Sequence, residues 1–427
     1  MGESLLSSSV AGVERVGSSL QMAGVALSDI AETVGTPTFV YNAEFIRDRY
    51  GILARALAGM PYRIHYAVKA NSNLAVLRLL RELGAGADLV SGGELRRALA
   101  AGFNPDRLIF SGVGKTDAEL SLAIDEEIGH IAIESLAELD RIATLADALQ
   151  RNVRLAVRIN PEVTTETHPY ISTGEKGIKF GVPVDRVPDA ARRILEHPRL
   201  TLTAVAMHLG SQLTDPEPYL HGIRHLLELV EALEGQGTTT IEAIDIGGGL
   251  GVDYGDGREM AISSFASAVR GLLEPSGLTV YLEPGRYLTG NAGVLLTRVL
   301  YCKHSGGREF VIVDAGFNDF LRPSRYQALH AMIEVEAHGR ASRLVDVVGP
   351  ICETGDFFAL ERSLPAVEPG ELLAVMGAGA YGFVMSSNYN TRPRAAEVMV
   401  DGGRFGVARP RESAAALFAD ENPTPLE

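Results

Sequence analysis

Three polar side chains next to apolar segments are the first candidates for chemistry in this sequence. Lys69 ends the segment Tyr66-Ala-Val-Lys69. Its amine could face solvent, or it could form a Schiff base with a carbonyl group, since the pKa of a lysine falls readily on burial. His208 is followed closely by Ser211. The imidazole could be a hydrogen-bonded core group, or it could lie flat on a planar cofactor while Ser211 reaches a phosphate.

Two glycine-containing segments further along the chain are candidates for anion binding. Gly247-Gly-Gly-Leu-Gly251 follows one apolar run, and Glu283-Pro-Gly285-Arg286 follows the next. Glycine runs expose backbone N–H groups to an anion, and the dipole of a following helix adds to the attraction. A dinucleotide fingerprint would follow the first strand of a βαβ unit, so the late position of this glycine run disfavours nicotinamide chemistry.

Together these residue types suit pyridoxal phosphate. That cofactor needs an amine for its aldehyde carbon, an anion site for its phosphate and a group that sets the charge on its ring nitrogen. Lys69 is the candidate amine, and the glycine segments are the candidate anion site. Glu283 would keep the ring nitrogen protonated and the ring a strong electron sink, whereas an arginine would leave the nitrogen neutral.

The elements that must position these residues alternate regularly from about residue 62. Each of eight apolar or β-branched runs is followed by a segment with helical periodicity. The runs are Arg63–Val68, Ala87–Val90, Arg107–Phe110, His130–Ile133, Val153–Ile159, Leu202–His208, Ile241–Ile246 and Thr279–Leu282. Capping-box patterns at Ser91, Thr116 and Ser135 mark helix starts. The count and size predict a (β/α)8 barrel of the TIM type, whose active site lies at the carboxyl ends of its strands. A doubly wound open sheet is the alternative.

The rhythm changes after about Gly290, where strand-like runs continue without regular helices between them. These runs are Val294–Tyr301, Glu309–Asp314, Leu344–Val348, Leu372–Val375 and Ala396–Val400. They predict a second, mainly β domain, a Greek-key-like barrel or sandwich. We expect a loose N-terminal tail over residues 1–24, the barrel over 46–286, and a β domain built from 25–45 and 287–420.

Composition narrows the possible partners and the compartment. The 427 residues include 54 acidic and 39 basic ones, which gives a formal net charge of −15. This balance argues against a nucleic-acid binder, which needs a basic face. Two cysteines, Cys302 and Cys352, cannot build a disulfide framework, which favours a reducing compartment. We find no apolar stretch long enough to span a membrane and no signal peptide, so we expect a cytoplasmic protein.

The segments above, with Ser91-Gly-Gly-Glu94 and His208-Leu-Gly-Ser211-Gln212, resemble the alanine-racemase-like, fold-type III family of pyridoxal-phosphate decarboxylases. The likeness runs from about residue 25 to about residue 415. Further matches are His168–Gly174, Asp314–Asn318, Gly349–Asp356 and Gly379–Gly382. The resemblance implies α-decarboxylation of meso-2,6-diaminopimelate to L-lysine and CO2, the last step of lysine biosynthesis. It also implies pyridoxal 5'-phosphate as the cofactor, no metal, and a homodimer with shared active sites. The β domain would contribute to the substrate site and to the dimer interface.

The resemblance also assigns roles to individual residues. Cofactor-binding roles fall on Lys69, Asp88, His208, Ser211, Gly248, Glu283, Gly285, Arg286 and Tyr381. Substrate-binding roles fall on Arg286, Arg322, Tyr326, Glu353 and Tyr381. Lys69, His208 and Cys352 would be catalytic: Lys69 holds the cofactor, His208 stacks on its ring, and Cys352 delivers a proton. Cys352 and Glu353 would enter the site from the partner subunit.

One segment departs from the family pattern and leaves alternatives open. In Ser324-Arg325-Tyr326-Gln-Ala-Leu329-His330, a charge stands before the tyrosine, and Leu329 stands where the family has an aromatic residue. A paralogous decarboxylase acting on another free or carrier-bound amino acid is therefore an alternative. An amino-acid racemase is less favoured, since it would want an arginine at the ring nitrogen, where Glu283 stands. A non-catalytic pyridoxal-phosphate carrier would lack the second domain, and a scaffold protein would not need this set of residues.

Overall fold

The computed structural model describes residues 12–161, 179–423 and 425, and it divides into two compact units. Of these residues, those within Arg47–Val252 and Arg258–Leu288 form the barrel unit, and those within Met1–Ile46, Asp253–Gly257 and Thr289–Glu427 form the β unit. The family match His168–Gly174 lies outside the described residues.

Strands and helices are numbered here in chain order. The strands are β1 Val13–Val16, β2 Ser19–Met22, β3 Val25–Ala26, β4 Thr38–Asn42, β5 Tyr62–Ala67, β6 Gly86–Leu89, β7 Leu108–Phe110, β8 His130–Ile133, β9 Val153–Ile159, β10 Leu200–Met207, β11 Ala243–Asp245, β12 Thr279–Leu282, β13 Gly293–Ser305, β14 Arg308–Val313, β15 Met332–Glu334, β16 Ser342–Val348, β17 Phe357–Pro365, β18 Leu372–Val375, β19 Ala396–Asp401 and β20 Arg404–Arg409. The helices are α1 Leu27–Val34, α2 Ala43–Leu57, α3 Leu74–Glu82, α4 Gly92–Ala100, α5 Asp117–Asp125, α6 Leu136–Leu149, α7 Val187–Glu196, α8 Glu217–Glu234, α9 Ile262–Leu273, α10 Arg286–Thr289 and α11 Arg322–Tyr326.

The barrel unit is a closed parallel barrel in which β5 to β12 follow one another in chain order and β12 pairs back with β5. The predicted (β/α)8 barrel is therefore confirmed, and the doubly wound open sheet is excluded. Three predicted runs, His130–Ile133, Val153–Ile159 and Thr279–Leu282, coincide with strands of the structure. One apolar cluster of the barrel consists mainly of small side chains around the ring of Tyr281, on which the buried rings of His65 and His130 also pack. Small inward residues let eight strands close tightly, so this interior is a packed core and not a pore.

The helix starts predicted from sequence are built by side-chain caps. Thr116 forms the full capping box, accepting the N–H of Glu119 while the Glu119 carboxylate accepts the N–H of Thr116. The hydroxyl groups of Ser91 and Ser135 accept the N–H of the glutamate three residues later, as expected. The carboxylate of that glutamate, however, accepts the N–H of the residue before the serine, and not that of the serine itself. The caps satisfy first-turn N–H groups and so fix where each helix leaves the barrel rim.

The β unit contains a nine-stranded sheet whose central path runs β17-β16-β14-β13-β4-β19-β20. The long strand β13 is central to this sheet. The first half of β13 pairs with β4 and β18, and the second half pairs with β14. β15 joins the sheet through β18. The predicted mainly β second unit is therefore confirmed.

The expected loose tail over residues 1–24 is wrong for residues 12–24. β1 and β2 form an antiparallel hairpin across Gly17, and β2 pairs onward with β3. Leu20 and Met22 are fully buried in the core of the β unit. The strands are only two to four residues long, so their alternating pattern is too short to stand out in the sequence.

No helix in the described parts of the chain is both long enough and apolar enough to cross a membrane.

Candidate active site

Four residues expected to bind the cofactor lie at the carboxyl ends of barrel strands. Lys69 follows β5 within a single 3-10 turn, and Asp88 lies within β6. His208 directly follows β10, and Glu283 directly follows β12. The fold therefore brings these side chains to one end of the barrel, the end at which barrel enzymes carry their catalytic groups.

Lys69 is anchored by a buried carboxylate. Its amine donates a hydrogen bond to Oδ2 of Asp88 at 2.8 Å, and the Asp88 side chain has no solvent exposure. The other oxygen of Asp88, Oδ1, is buried and has no hydrogen-bond partner among the described residues. A buried carboxylate oxygen is expensive to leave unpaired, so this position favours a further donor beside Asp88.

Glu283 belongs to a group of buried carboxyl groups at the same end of the barrel. Burial raises the pKa of Glu283 well above its usual range, and the charges of Asp245 and Asp88 raise it further. Asp245 accepts the N–H of Gly247 at 2.8 Å, yet burial raises the pKa of Asp245 to about 7. Because ionised carboxylates in such a group repel one another, a cation placed beside Glu283 would be strongly stabilised.

His208 is neutral and its tautomer is defined. Nδ1 accepts the N–H of Gly248 at 3.2 Å, which places the ring proton on Nε2. Burial lowers the pKa of His208 well below its usual value, and the charges of Lys69 and Arg158 lower it further. Oε2 of Glu283 lies 4.0 Å from Nδ1, beyond hydrogen-bond distance. An uncharged imidazole fixed in this way has the flat, apolar face that stacking on a planar ring requires.

The loop after β11 requires glycine at its first three positions, 247 to 249. Gly247 and Gly249 have φ angles of 72° and 100°, in the left-handed region that favours glycine. A Cβ atom on Gly248 would overlap the carbonyl oxygen of Glu283. The loop therefore packs directly on the end of the neighbouring strand, with its backbone close to the residues expected to bind the cofactor.

A buried guanidinium group lies near this loop in the barrel unit. The Arg286 side chain is buried, and Nη2 and Nε donate to the hydroxyl of Ser211 at 3.0 and 3.3 Å. The preceding residue, Gly285, is close to the end of β5: an added Cβ atom would lie 3.2 Å from Cβ of Ala67. A guanidinium, a hydroxyl and glycine-rich backbone form a donor set typical of phosphate sites.

These groups fit pyridoxal phosphate. Lys69 offers an amine, His208 a neutral ring face, and Arg286 with Ser211 an anion site. Glu283, whose pKa is raised by burial among other carboxyl groups, would regain its charge beside a protonated ring nitrogen.

The β unit carries four of the five residues expected to bind the substrate, and the fifth, Arg286, belongs to the barrel unit. Arg322 is the first residue of α11, and its side chain is buried. Its guanidinium carbon lies 5.3 Å from the ring centre of Tyr254 and 5.9 Å from that of Tyr326. Nε donates to Nε2 of His330 at 3.2 Å. Arg322 is therefore held by two aromatic rings and an imidazole, an arrangement suited to a carboxylate-binding arginine.

The two departures from the family pattern are exposed in this chain. Arg325 is exposed and its guanidinium carbon lies 5.7 Å from the ring centre of Tyr326. Leu329 is 64% exposed. Arg322, in contrast, is buried, so the altered positions lie on the outer side of this segment.

Tyr381 stands in an unusual backbone conformation. Its φ angle is 54°, in the left-handed region, which a bulky residue adopts only at a cost. The side chain is half-buried, and the neighbouring Gly379 packs so closely that an added Cβ atom would overlap the carbonyl oxygen of Thr289. Strain of this kind clusters at functional sites, which supports a binding role for this tyrosine.

Cys352 and Glu353 lie on an exposed loop of the β unit. Asp356 organises the loop, since its buried carboxylate accepts the N–H groups of Ile351 and Phe317, each at 2.7 Å. Glu353 accepts the hydroxyl of Tyr389 at 2.6 Å. Both Cys352 and Glu353 are exposed in the single chain, although the loop that carries them is well ordered by these contacts.

Several residues around Glu283 and around Arg322 received no role from the sequence alone. Asp245 raises the pKa of Glu283, and its place two residues before the glycine run was the available signal. Tyr254 and His330 hold Arg322. Tyr254 is far from Arg322 along the chain, so only the fold reveals their contact.

Comparison with known proteins agrees with this site. The family model "Pyridoxal-dependent decarboxylase, pyridoxal binding domain" matches residues 44–290. The chain is 49% identical to diaminopimelate decarboxylase of Pseudomonas aeruginosa, over 94% of this chain and 96% of that protein. It is 46% identical to the diaminopimelate decarboxylase of Aquifex aeolicus, over 91% and 92% of the two chains. The crystal structure of diaminopimelate decarboxylase from Helicobacter pylori complexed with L-lysine superposes with a TM-score of 0.89 at 39% identity, covering 92% of this chain and 98% of the other.

The barrel, its lysine and carboxyl groups, and the family match define the class: the protein is a pyridoxal-phosphate-dependent decarboxylase. The alignments cover nearly the whole length of the relatives, which narrows the class to one family. The chain belongs to the diaminopimelate decarboxylase family.

Proposed function

We propose that the protein decarboxylates meso-2,6-diaminopimelate to L-lysine and CO2, the last step of lysine biosynthesis. The observation that carries the proposal is that one chain holds both a barrel site fitted to pyridoxal phosphate and a buried arginine, Arg322, suited to a second carboxylate. The names of the relatives and the L-lysine bound to the H. pylori enzyme support this substrate.

The barrel residues would hold the cofactor. Bound pyridoxal phosphate supplies an electron sink for the electron pair left on the α-carbon when CO2 departs. Lys69 and Asp88 would fix the cofactor's carbonyl end, and the ring would rest on His208. The phosphate would be held by Ser211, Gly248, Gly285 and Arg286, with Tyr381 as a further contact.

Glu283 would hold a proton on the ring nitrogen. Burial and the charges of neighbouring carboxyl groups raise the pKa of Glu283 well above its usual range, which favours its protonated form. Beside a pyridine nitrogen it can give or share that proton, and the resulting ion pair is protected from water. This favours a decarboxylase over an amino-acid racemase, which would keep the nitrogen neutral with an arginine.

Cys352 would deliver the proton that replaces CO2 on the α-carbon. We propose that Cys352 and Glu353 act in the site of the partner subunit of a homodimer. Their exposure on a loop ordered by Asp356 supports this assignment, because a catalytic group that serves another chain must be presented at the surface yet held in place.

The far end of the substrate would be recognised through ion pairs. Diaminopimelate carries a second carboxylate and a second ammonium group, which need a cation and an anion. Arg322, supported by Tyr326, would bind the far carboxylate, and Glu353 the far ammonium, with Arg286 contributing to the carboxylate region. Arg325 and Leu329 are exposed in the single chain, whereas Arg322 is buried, so we do not place either of them beside Arg322 at the far carboxylate.

We also propose a cytoplasmic location. Both cysteines, Cys302 and Cys352, are free thiols, which is the state that a reducing compartment maintains.

A growth experiment tests the proposed function. A bacterium that lacks its own diaminopimelate decarboxylase requires lysine, and this protein should restore growth without lysine. The Lys69→Ala variant, expressed to the same level, should not. Failure of the wild-type protein to restore growth, although it is folded and loaded with cofactor, would refute the proposal.

A further inference from the structure

His330 is a buried histidine in the β unit that none of the proposed steps uses directly. Its side chain is 1% exposed and is packed between the rings of Phe320 and Tyr254, with centroids 4.7 and 4.9 Å from its own. Both rings meet the imidazole at steep angles, 76° and 65°. The imidazole therefore has a single orientation, fixed by packing on two sides.

Hydrogen bonds define the protonation of this ring. Nδ1 lies 2.8 Å from the carbonyl oxygen of Met376, which can only accept, so Nδ1 carries a proton. Nε of Arg322, which can only donate, lies 3.2 Å from Nε2. Nε2 must therefore be an unprotonated acceptor, and His330 is the neutral Nδ1–H tautomer.

The carbonyl group of Met376, which fixes one end of the hydrogen-bond chain Met376–His330–Arg322, is held by the sheet. β15 pairs with β18 in antiparallel fashion, with Met332 opposite Val375. Directly beyond this pair, the N–H of Met376 donates to the carbonyl of Ala331 at 2.8 Å. The carbonyl that receives the His330 proton is thus part of the sheet framework, which is more rigid than a loop.

The other end of the chain is the guanidinium group of Arg322. The rings of Tyr254 and Tyr326 are packed against it, while His330 holds Nε, the nitrogen nearest the stem. A guanidinium binds a carboxylate best in its own plane, through two parallel hydrogen bonds, so the rotation of that plane decides how well a carboxylate is received. An acceptor fixed at Nε sets this rotation.

We propose that His330 is a positioning residue that orients Arg322 for the far carboxylate of the substrate. The inference rests on the proposed function, since it assumes that Arg322 binds that carboxylate. His330 itself makes no contact with substrate in this account. Its neutral tautomer is essential, because a protonated ring would place a second donor against the guanidinium.

Two substitutions separate the two hydrogen bonds of His330. In His330→Gln, the longer side chain can place its amide oxygen where Nε2 lies, which keeps the acceptor for Arg322. In His330→Asn, the shorter amide can reach the Met376 carbonyl but not Arg322. A melting temperature and the spectrum of the bound cofactor, measured for both, control for loss of folding or of cofactor.

Steady-state kinetics with meso-diaminopimelate then test the inference. We expect His330→Asn to raise KM about tenfold with kcat changed less than about twofold, and His330→Gln to stay within about threefold of wild-type KM. In an Arg322→Ala background, His330→Asn should lower kcat/KM by less than about twofold more, because its effect acts through the arginine.

Equal effects of the two substitutions, or a full effect of His330→Asn in the Arg322→Ala background, would overturn the positioning role. If Arg322→Ala alone leaves KM for diaminopimelate unchanged, the proposed role of Arg322 is wrong and the inference falls with it. The single Arg322 variant thus distinguishes the two failures.

Discussion

The amine of Lys69 and the carboxylate of Asp88 lie 2.8 Å apart at the carboxyl end of the barrel, with Asp88 fully buried. A second lysine of the barrel unit, Lys115, contrasts with it. Its amine donates to the carbonyls of Gly112 and Ala132 and to the carboxylate of Glu138, at 2.7 to 2.9 Å. These three bonds use all three hydrogens of the ammonium group, so Lys115 is a structural cross-link.

This contrast predicts which lysine binds the cofactor. Borohydride treatment of the pyridoxal-phosphate-loaded protein should attach the cofactor covalently to the peptide that contains Lys69 and leave the Lys115 peptide unmodified. Peptide mass spectrometry measures both. Modification of Lys115, or of Lys69 only in denatured protein, would contradict the assignment.

How far the sequence predicts this site depends on the range of the interactions. The strand ends at Lys69, His208 and Glu283 were predictable, because local alternation locates the strands and the barrel fold brings their carboxyl ends together. The raised pKa of Glu283 was not predictable, because it depends on burial and on the charges of Asp245 and Asp88, which come from other strands of the barrel.

The β unit was less predictable for a related reason. β17 was missed because a bulge at Glu361, with a φ of 48°, interrupts its alternation of buried and exposed residues. The hairpin at Gly17 was missed because its strands are very short. The contact of Arg322 with Tyr254 joins segments far apart in the chain, and no local pattern encodes it. His330 lies only eight residues after Arg322, but α11 ends at Tyr326, so their hydrogen bond depends on the irregular chain between them.

The glycine loop predicts a strong effect of one methyl group. In Gly248→Ala, the added Cβ would overlap the Glu283 carbonyl, so the loop must shift, and we expect cofactor affinity to fall at least about tenfold. Gly271→Ala is the matched control, because its Cβ, within α9, would meet no described atom within 4 Å. It should retain the cofactor and gain about 0.5–1 kcal/mol of stability. The absorbance of the cofactor after dialysis measures how much cofactor each variant retains. Equal retention by the two variants would argue against a role of the glycine loop in binding the cofactor.

Two buried histidines in the barrel predict a loss of stability in acid. Burial lowers the pKa of His130 and of His65 to about 3, whereas each takes up a proton near 6.5 when unfolded. Between these values the unfolded chain binds more protons than the folded protein does. As far as these two histidines determine it, the free energy of unfolding is therefore highest above about pH 6.5 and decreases as the pH falls below that value.

His130→Phe isolates one of these contributions and keeps a ring for stacking on Tyr281, which lies 5.7 Å away. Urea unfolding at pH 7 and pH 5 should show a pH-dependent loss smaller by about 2 kcal/mol than in the wild-type protein. His304→Gln, at an exposed position, should show the wild-type loss. An unchanged loss in His130→Phe would mean that the ring is protonated in the folded state.

Subunit mixing tests the shared site. Lys69→Ala and Cys352→Ala proteins should each be inactive, and a heterodimer of the two has one intact site if Cys352 serves the partner. Mixing should therefore restore about a quarter of wild-type activity, since half of the dimers are mixed and each has one working site. Mixing Lys69→Ala with Glu283→Ala should restore none, because each chain then carries a defect in its own barrel. Absence of recovery in the first mixture, with subunit exchange demonstrated, would place both groups in the site of one chain.

The most direct test of the central claim is the identity of the amino acid that loses CO2. The loaded enzyme is incubated separately with meso-diaminopimelate, L-lysine, L-ornithine and L-arginine, and released CO2 and the amino-acid product are quantified, with Lys69→Ala as the blank. We predict CO2 and L-lysine in equal amounts from meso-diaminopimelate. For L-lysine, which lacks the far carboxylate, kcat/KM should be at least about a hundredfold lower. Release of CO2 from another of these amino acids, with none from meso-diaminopimelate, would contradict the account.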